Sequence, residues 1–229
     1  MLGIYGGTFD PVHYGHLRTA LDVKEALRIT DLRFLPCRTP AHRGAPGANP
    51  QQRLSMLELA LQKAGTDFSI DRRELDREGP SYMVDTLASL RRDEPDRPIC
   101  LILGLDAFAA IPYWHRWREL FNLAHFAVMW RPGAKKPDWS GELADLVLTR
   151  REEELGKLAS TPCGKIAFLE VTQLAISATG IRNMIAQGKN PRYLLPDAVL
   201  EMIQSQALYG SRSSSAIEFK TDSALTESV

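Results

Sequence analysis

The segment Gly6-Gly7-Thr8-Phe9-Asp10-Pro11-Val12-His13-Tyr14-Gly15-His16 concentrates residues suited to handling phosphate. Adjacent glycines let a backbone approach a phosphate closely and adopt angles that other residues avoid. A helix starting near Gly15 would aim its N-terminal dipole and free N–H groups into the same space. His13 and His16 stand at that entrance, and an i, i+3 spacing turns both imidazoles toward one ligand if the turn is helical. Phosphoryl and nucleotidyl transfers need phosphates held in line and charge on the central phosphorus offset. Preorganised imidazole hydrogen bonds can do the second. The bland reading of two histidines is a surface turn or a satisfied core contact, which a Gly-rich turn after a strand disfavours. A zinc reading lacks a third ligand at characteristic spacing.

A second constellation, Ile176-Ser177-Ala178-Thr179-Gly180-Ile181-Arg182, lies near the far end of the chain. Hydroxyls and N–H groups at a helix start can take an anion, and Arg182 on the first turn adds charge. Read alone, it is equally an ordinary N-cap followed by a surface arginine. Between the two stand further candidates. Asp106, a carboxylate after a strand, suits ribose hydroxyls, or is only an N-cap. Trp114 offers a stacking platform, or is with Trp117 a core aromatic. The helix start at Ser81–Met83 offers N–H donors to a carboxylate.

The first segment resembles the Gly-x-Phe-x-Pro-x-His-x-Gly-His motif of the nucleotidyltransferase superfamily without mismatch. The second is similar to that superfamily's Ile-Ser-x-Thr-x-Ile-Arg signature, which holds the β- and γ-phosphates of ATP. Neither a P-loop nor a Gly-x-Gly-x-x-Gly after the first strand is present. Pro80–Leu87, Gly104–Asp106, Pro112–Trp114 and Arg131–Gly133 fall in the order seen in bacterial nicotinate mononucleotide adenylyltransferases, and the resemblance runs from about Gly6 to Tyr209. Met83 stands where that family often has threonine, and Ala41 where a second proline is usual.

The resemblance implies adenylyl transfer from ATP to nicotinate mononucleotide, giving the dinucleotide and pyrophosphate, with Mg²⁺ held mainly by substrate phosphates and no protein metal ligands. It implies His16 and His13 as catalytic residues. Gly7, Thr8, Phe9, His13, His16, Gly104, Asp106, Ser177, Thr179 and Arg182 would bind ATP. His42, Ser81, Tyr82, Met83, Thr86, Trp114 and Arg131 would bind the mononucleotide, with His42 and Arg43 reaching the phosphates if their loop closes. Another small nucleotidyltransferase, such as a pantetheine-phosphate adenylyltransferase type, is the alternative within the class. A catalytically silent nucleotide-binding regulator is the alternative outside it.

The elements that must position these residues alternate strand and helix. Leu2–Tyr5, Leu32–Pro36, Phe68–Asp71, Ile99–Gly104, His125–Trp130 and Ile166–Glu170 read as strands. The Ile99–Gly104 run is continuously apolar, as in the middle of a parallel sheet. Helices are expected from about Gly15 to Leu27 with Leu17, Ala20, Leu21 and Leu27 inward, and from an Asn49 cap and Pro50 with Leu54, Leu57 and Leu61 inward. Others are expected from a Ser81 cap to about Arg92, from Gly180 to Gln187 with Gly188 as stop, and from Pro196 to Gln206. The long Cys37–Pro50 stretch, carrying Pro40, Pro46, Gly44 and Gly47, reads as a binding loop or lid. The fold class expected is α/β, a Rossmann-like doubly wound parallel sheet with helices on both faces and a small helical C-terminal part. Its ligand crevice lies beyond the carboxyl ends of the strands. Residues 1–210 read as one domain, and the Ser-rich 211–229 segment as a disordered tail.

The bulk numbers fit. The chain has 229 residues and 28 basic against 28 acidic side chains, so no global field draws it to nucleic acid polymers or a membrane. No apolar run approaches the roughly 20 residues of a membrane span. The chain enters a strand at once, leaving no room for a signal peptide. Cys37, Cys100 and Cys163 are widely spaced and odd in number, which suits fillers in a reducing cytoplasm rather than disulfides.

Overall fold

A computed structural model describes residues 1–40, 45–62, 67–130, 139–172 and 174–211. Its centre is a six-stranded sheet, β1 (Leu2–Gly7), β2 (Asp31–Pro36), β3 (Phe68–Ile70), β4 (Ile99–Gly104), β5 (His125–Trp130) and β6 (Ile166–Glu170). All pairings are parallel and the order is β3-β2-β1-β4-β5-β6. Chain order reverses between β1 and β4, so a crevice opens outside their carboxyl ends, the position where doubly wound sheets bind ligands.

The helices are α1 (Tyr14–Ala26), α2 (Pro50–Leu61), α3 (Arg73–Asp76), α4 (Met83–Asp93), α5 (Leu105–Ala109), α6 (Trp117–Leu120), α7 (Gly141–Arg150), α8 (Ala178–Ala186) and α9 (Asp197–Ser205). Side chains alternate across each strand and feed two separate cores. Tyr5, Cys100, Ile102 and Ala127 face α1, α2, α8 and α9, through residues such as Val23, Leu57, Ile185 and Val199. Leu2, Ile4, Leu101, Leu103, Phe126 and Val128 face α4, α5, α6 and α7, through Leu87, Phe108, Leu120 and Val147. Both faces of the sheet are therefore covered, as expected of the apolar strand runs.

Local chemistry sets the helix limits. Asn49 accepts from the Gln52 N–H while the Gln52 side chain accepts from the Asn49 N–H, a closed capping box with Pro50 in the first turn. Gly188 stops α8 with φ +70°, a left-handed angle that glycine takes without strain. Three expectations need correction. Ser81 is not the cap of α4: Tyr82 takes that position without a side-chain bond, and the Ser81 hydroxyl accepts from the Arg38 N–H at 3.0 Å. The inward face of α1 is Thr19, Ala20 and Val23, continued by Leu27, with Leu17 and Leu21 only half-buried. β1 runs on to Gly7, so both glycines of the motif lie in the strand end. Among the described residues no helix is long and apolar enough to cross a membrane. Residues 212–229, nearly all of the expected tail, lie outside the described residues.

Candidate active site

At the end of β1 the chain turns at Phe9, whose φ of +49° is left-handed, and enters α1 with His13 in the cap position. One turn of helix then places the two imidazoles face to face, 3.7 Å apart with 25° between their planes. Gly15 makes this possible, because a Cβ there would lie 2.9 Å from His13 Nδ1. The ring of Phe9 meets His16 edge-on at 5.2 Å. Burial pushes His13 down to about 4 and, with the charge of His13, pushes His16 down to about 3, so both rings are neutral at physiological pH. His16 Nδ1 accepts from the His13 backbone N–H at 3.3 Å. In a neutral ring that leaves the proton on Nε2, a donor free of the helix. Among the described residues, His13 Nδ1 is buried without a partner.

The second constellation docks on the first. Ser177 caps α8, its hydroxyl accepting from the Gly180 N–H at 3.0 Å. Arg182 donates to Thr179 Oγ1 at 3.2 Å and to the backbone oxygen of Asp10 at 2.6 Å. Ile176, Ser177, Thr179 and Arg182 thus stand beside the α1 start, and the Ile176 carbonyl approaches Gly15.

Two buried groups unseen in the sequence hold this assembly. The Arg53 side chain, fully buried, donates to the carbonyls of Thr8 at 2.8 Å, Cys37 at 2.7 Å and Arg38 at 2.9 Å, tying the loop after β1 to the loop after β2. Asp10 accepts from the backbone N–H groups of Gly47 and Ala48 at 2.8 and 3.1 Å and from the Tyr209 hydroxyl at 2.7 Å. Helical spacing marks Arg53 only as an α2 residue, and the partners of Asp10 are distant in sequence, so neither left a local signal.

On the β4 side, Gly104 and Asp106 flank the start of α5, and Asp106 is exposed there. The uncapped start of α4 lies close to the end of β1: a Cβ on Gly6 would meet Met83 Cε at 3.0 Å. Ser81 bridges to the β2 loop through its N–H to the Thr39 carbonyl at 3.2 Å. Tyr82 packs on His115 with ring centroids 4.4 Å apart; Trp114 is half-buried against the same core as Tyr82, Met83 and Leu105, while Trp117 belongs to that core. Thr86 is fully buried, and its hydroxyl donates to Glu74 Oε1 at 2.6 Å. Burial raises the Glu74 carboxyl above its ordinary value. His42 and Arg131 lie outside the described residues.

A model of the family described as Cytidylyltransferase-like matches residues 4–184. The chain is 57% identical over 209 residues to the "Probable nicotinate-nucleotide adenylyltransferase" of Methylococcus capsulatus, covering 91% of this chain and 99% of that one. It is 41% identical over 208 residues to the protein of the same name from Aeromonas hydrophila, covering 91% and 96%. In fold it is similar to the Plasmodium falciparum nicotinic acid mononucleotide adenylyltransferase complexed with NaAD, with a TM-score of 0.71 at 16% identity over 92% of this chain and 98% of that one.

Proposed function

Because the chain belongs to the cytidylyltransferase-like family and, within it, to the nicotinate-nucleotide adenylyltransferases, we propose that it transfers the adenylyl group of ATP to nicotinate mononucleotide. The product is nicotinate adenine dinucleotide, a step of NAD biosynthesis. An oxygen of the mononucleotide 5′-phosphate attacks the α-phosphorus in line. The bond from that phosphorus to the β-bridging oxygen breaks, and pyrophosphate leaves with the electron pair. The observation that carries this reading is the stacked pair of neutral imidazoles at the sheet's switch point, with Arg182 docked beside it.

In this reading His16 Nε2–H donates to the α-phosphate and His13 to the flanking phosphates. The arriving polyanion favours protonation and raises both imidazoles from their low resting values. Gly7, Thr8 and Phe9 bring backbone close to the triphosphate, while Ser177, Thr179 and Arg182 take its β- and γ-phosphates. Gly104 and Asp106 sit where the ATP ribose would reach. The uncapped α4 start at Tyr82–Met83 receives the nicotinate carboxylate, for which a helix N-terminus and its dipole are suited. Ser81 holds that start in place, and Trp114 stacks on the pyridine ring. His42 and Arg131 remain candidates for the mononucleotide phosphate.

Nucleotidyltransferases generally use a divalent cation, and we assign Mg²⁺, which offsets charge on the triphosphate and the leaving pyrophosphate. Among the described residues no three His, Cys, Asp or Glu side chains form a metal site. In this reading the ion would be held mainly by phosphate oxygens and water. A cytoplasmic location belongs to the proposal, since three free cysteines suit a reducing compartment.

The test is pyrophosphate release with ATP and a panel of acceptors. Nicotinate mononucleotide should exceed nicotinamide mononucleotide in kcat/KM by roughly tenfold or more, because an amide forfeits the charge that the helix start favours. Preference for a pantetheine phosphate would move the chain to the other branch of the class. No release with any acceptor would leave a silent binder.

A further inference from the structure

Tyr209 stands at the far end of the described chain, yet its hydroxyl donates to Asp10 Oδ1 at 2.7 Å, across a separation of 199 residues. Asp10 Oδ2 accepts from the Gly47 N–H, Oδ1 also accepts from the Ala48 N–H, and Arg182 Nη1 lies 3.7 Å from Oδ2. One buried carboxylate thus joins the first motif, the loop after β2, the second motif and the C-terminal turn.

The backbone is bent to bring the phenol there. Ala207 at φ 49° and Tyr209 at φ 58° are both left-handed without being glycine. Such angles persist where surrounding structure over-determines them, and they cluster at functional sites. Gly47 leaves room for the ring, since a Cβ at that position would lie 3.0 Å from Tyr209 Cδ1 and Cε1 and 3.6 Å from Arg182 Cδ. Burial and the neighbouring carboxylate push the phenol well above its ordinary value, which keeps it a donor at every working pH.

We infer that Tyr209 is a positioning residue for the triphosphate site: by holding Asp10 it fixes the orientation in which Arg182 meets ATP. This rests on the reading of Arg182 as a phosphate ligand. A phenylalanine would fill the same volume, so packing alone gives no reason for the hydroxyl to reach a buried carboxylate.

The experiment compares the full chain with Tyr209→Phe, using calorimetry with α,β-methylene-ATP and steady-state kinetics. Affinity for the analogue should fall roughly 5- to 10-fold, the size of one ordinary hydrogen bond, because the loss is felt through Asp10 and not at the phosphate itself. KM for nicotinate mononucleotide should not move. In an Arg182→Met background the same substitution should have no further effect on analogue affinity, because coupled residues are not additive. Gly47→Ala, which crowds the ring, should copy the single variant. Unchanged analogue affinity in Tyr209→Phe overturns the inference. So does an undiminished effect in the Arg182→Met background, or equal losses for both substrates with a lowered Tm. Wild-type chain that binds the analogue but never turns over the mononucleotide would defeat the functional reading and leave this inference to the binding data.

Discussion

His13 and His16 act through what surrounds them. Sequence spacing puts the two rings on one side of a turn, but only the fold shows them stacked, drawn in from solvent and neutral. A neutral His16 with Nδ1 already accepting a backbone bond can only donate from Nε2. His16→Ala should therefore cost turnover roughly 10²–10³-fold, as for a lost oxyanion donor. Single-turnover kinetics at saturating ATP checks this, and unchanged turnover would remove His16 from the mechanism. The same burial has a price in acid. Unfolded imidazoles titrate near 6.5, and the folded ones only near 4 and 3. Below about pH 6.5 the unfolded chain binds more protons, so stability is lost as pH falls from there toward the folded values, and these groups leave it unaffected only above about pH 6.5. Tm should drop between about pH 7.5 and pH 5, and a His13→Gln/His16→Gln double variant should show a shallower drop. Equal slopes would mean that other groups control acid stability. Asp10 and Tyr209 show why residue-level reading stops short. An aspartate in a motif and a tyrosine near the chain end look unrelated until the fold places them 2.7 Å apart.

Elements were legible in proportion to their length. All six strands and the helices with several turns of periodic apolar residues announce themselves, because burial of one face repeats at 3.6 or 2 residues. α3, α5 and α6 are a turn or so each, too short for any period to register, and α7 buries only Leu143 and Val147. Ser81 misleads for a physical reason: a serine before a helix suits the cap, but its oxygen is engaged across the crevice by the Arg38 N–H. Arg53 is the clearest case of an element carrying more than its pattern shows. It lies on the buried face of α2 and clamps the carbonyls of two loops that line the site. Arg53→Met would keep the apolar stem and strand three buried acceptors. An unfolding free-energy loss of about 3 kcal/mol or more is expected from the desolvation cost of unpaired carbonyls. Urea denaturation measures it, and a loss under about 1 kcal/mol would show that water replaces the guanidinium.

At the scale of the molecule, the site is made by residues from both ends of the chain. The parallel order brings the ends of β1 and β4 side by side, and the second motif and Tyr209 return from the C-terminal helices to close on Asp10. The sequence's strand–helix alternation indicates such a sheet, and its two motifs indicate that distant segments meet. The clasp between them depends on side-chain geometry that no period encodes. A ligand bridging both motifs should therefore stabilise the molecule as a whole. We propose that residues 1–210 form one cooperative unit, in which ATP with Mg²⁺ at about 100 times its Kd adds about 2.7 kcal/mol. For a chain of this size that corresponds to a rise in Tm of roughly 5–10 °C. Calorimetry should show one transition that moves as a unit, and the same shift in a chain ending at Ser211. Two transitions, only one of them responding to ATP, would mean that the C-terminal helices fold separately and that the contact of Arg182 with Asp10 does not couple the two halves.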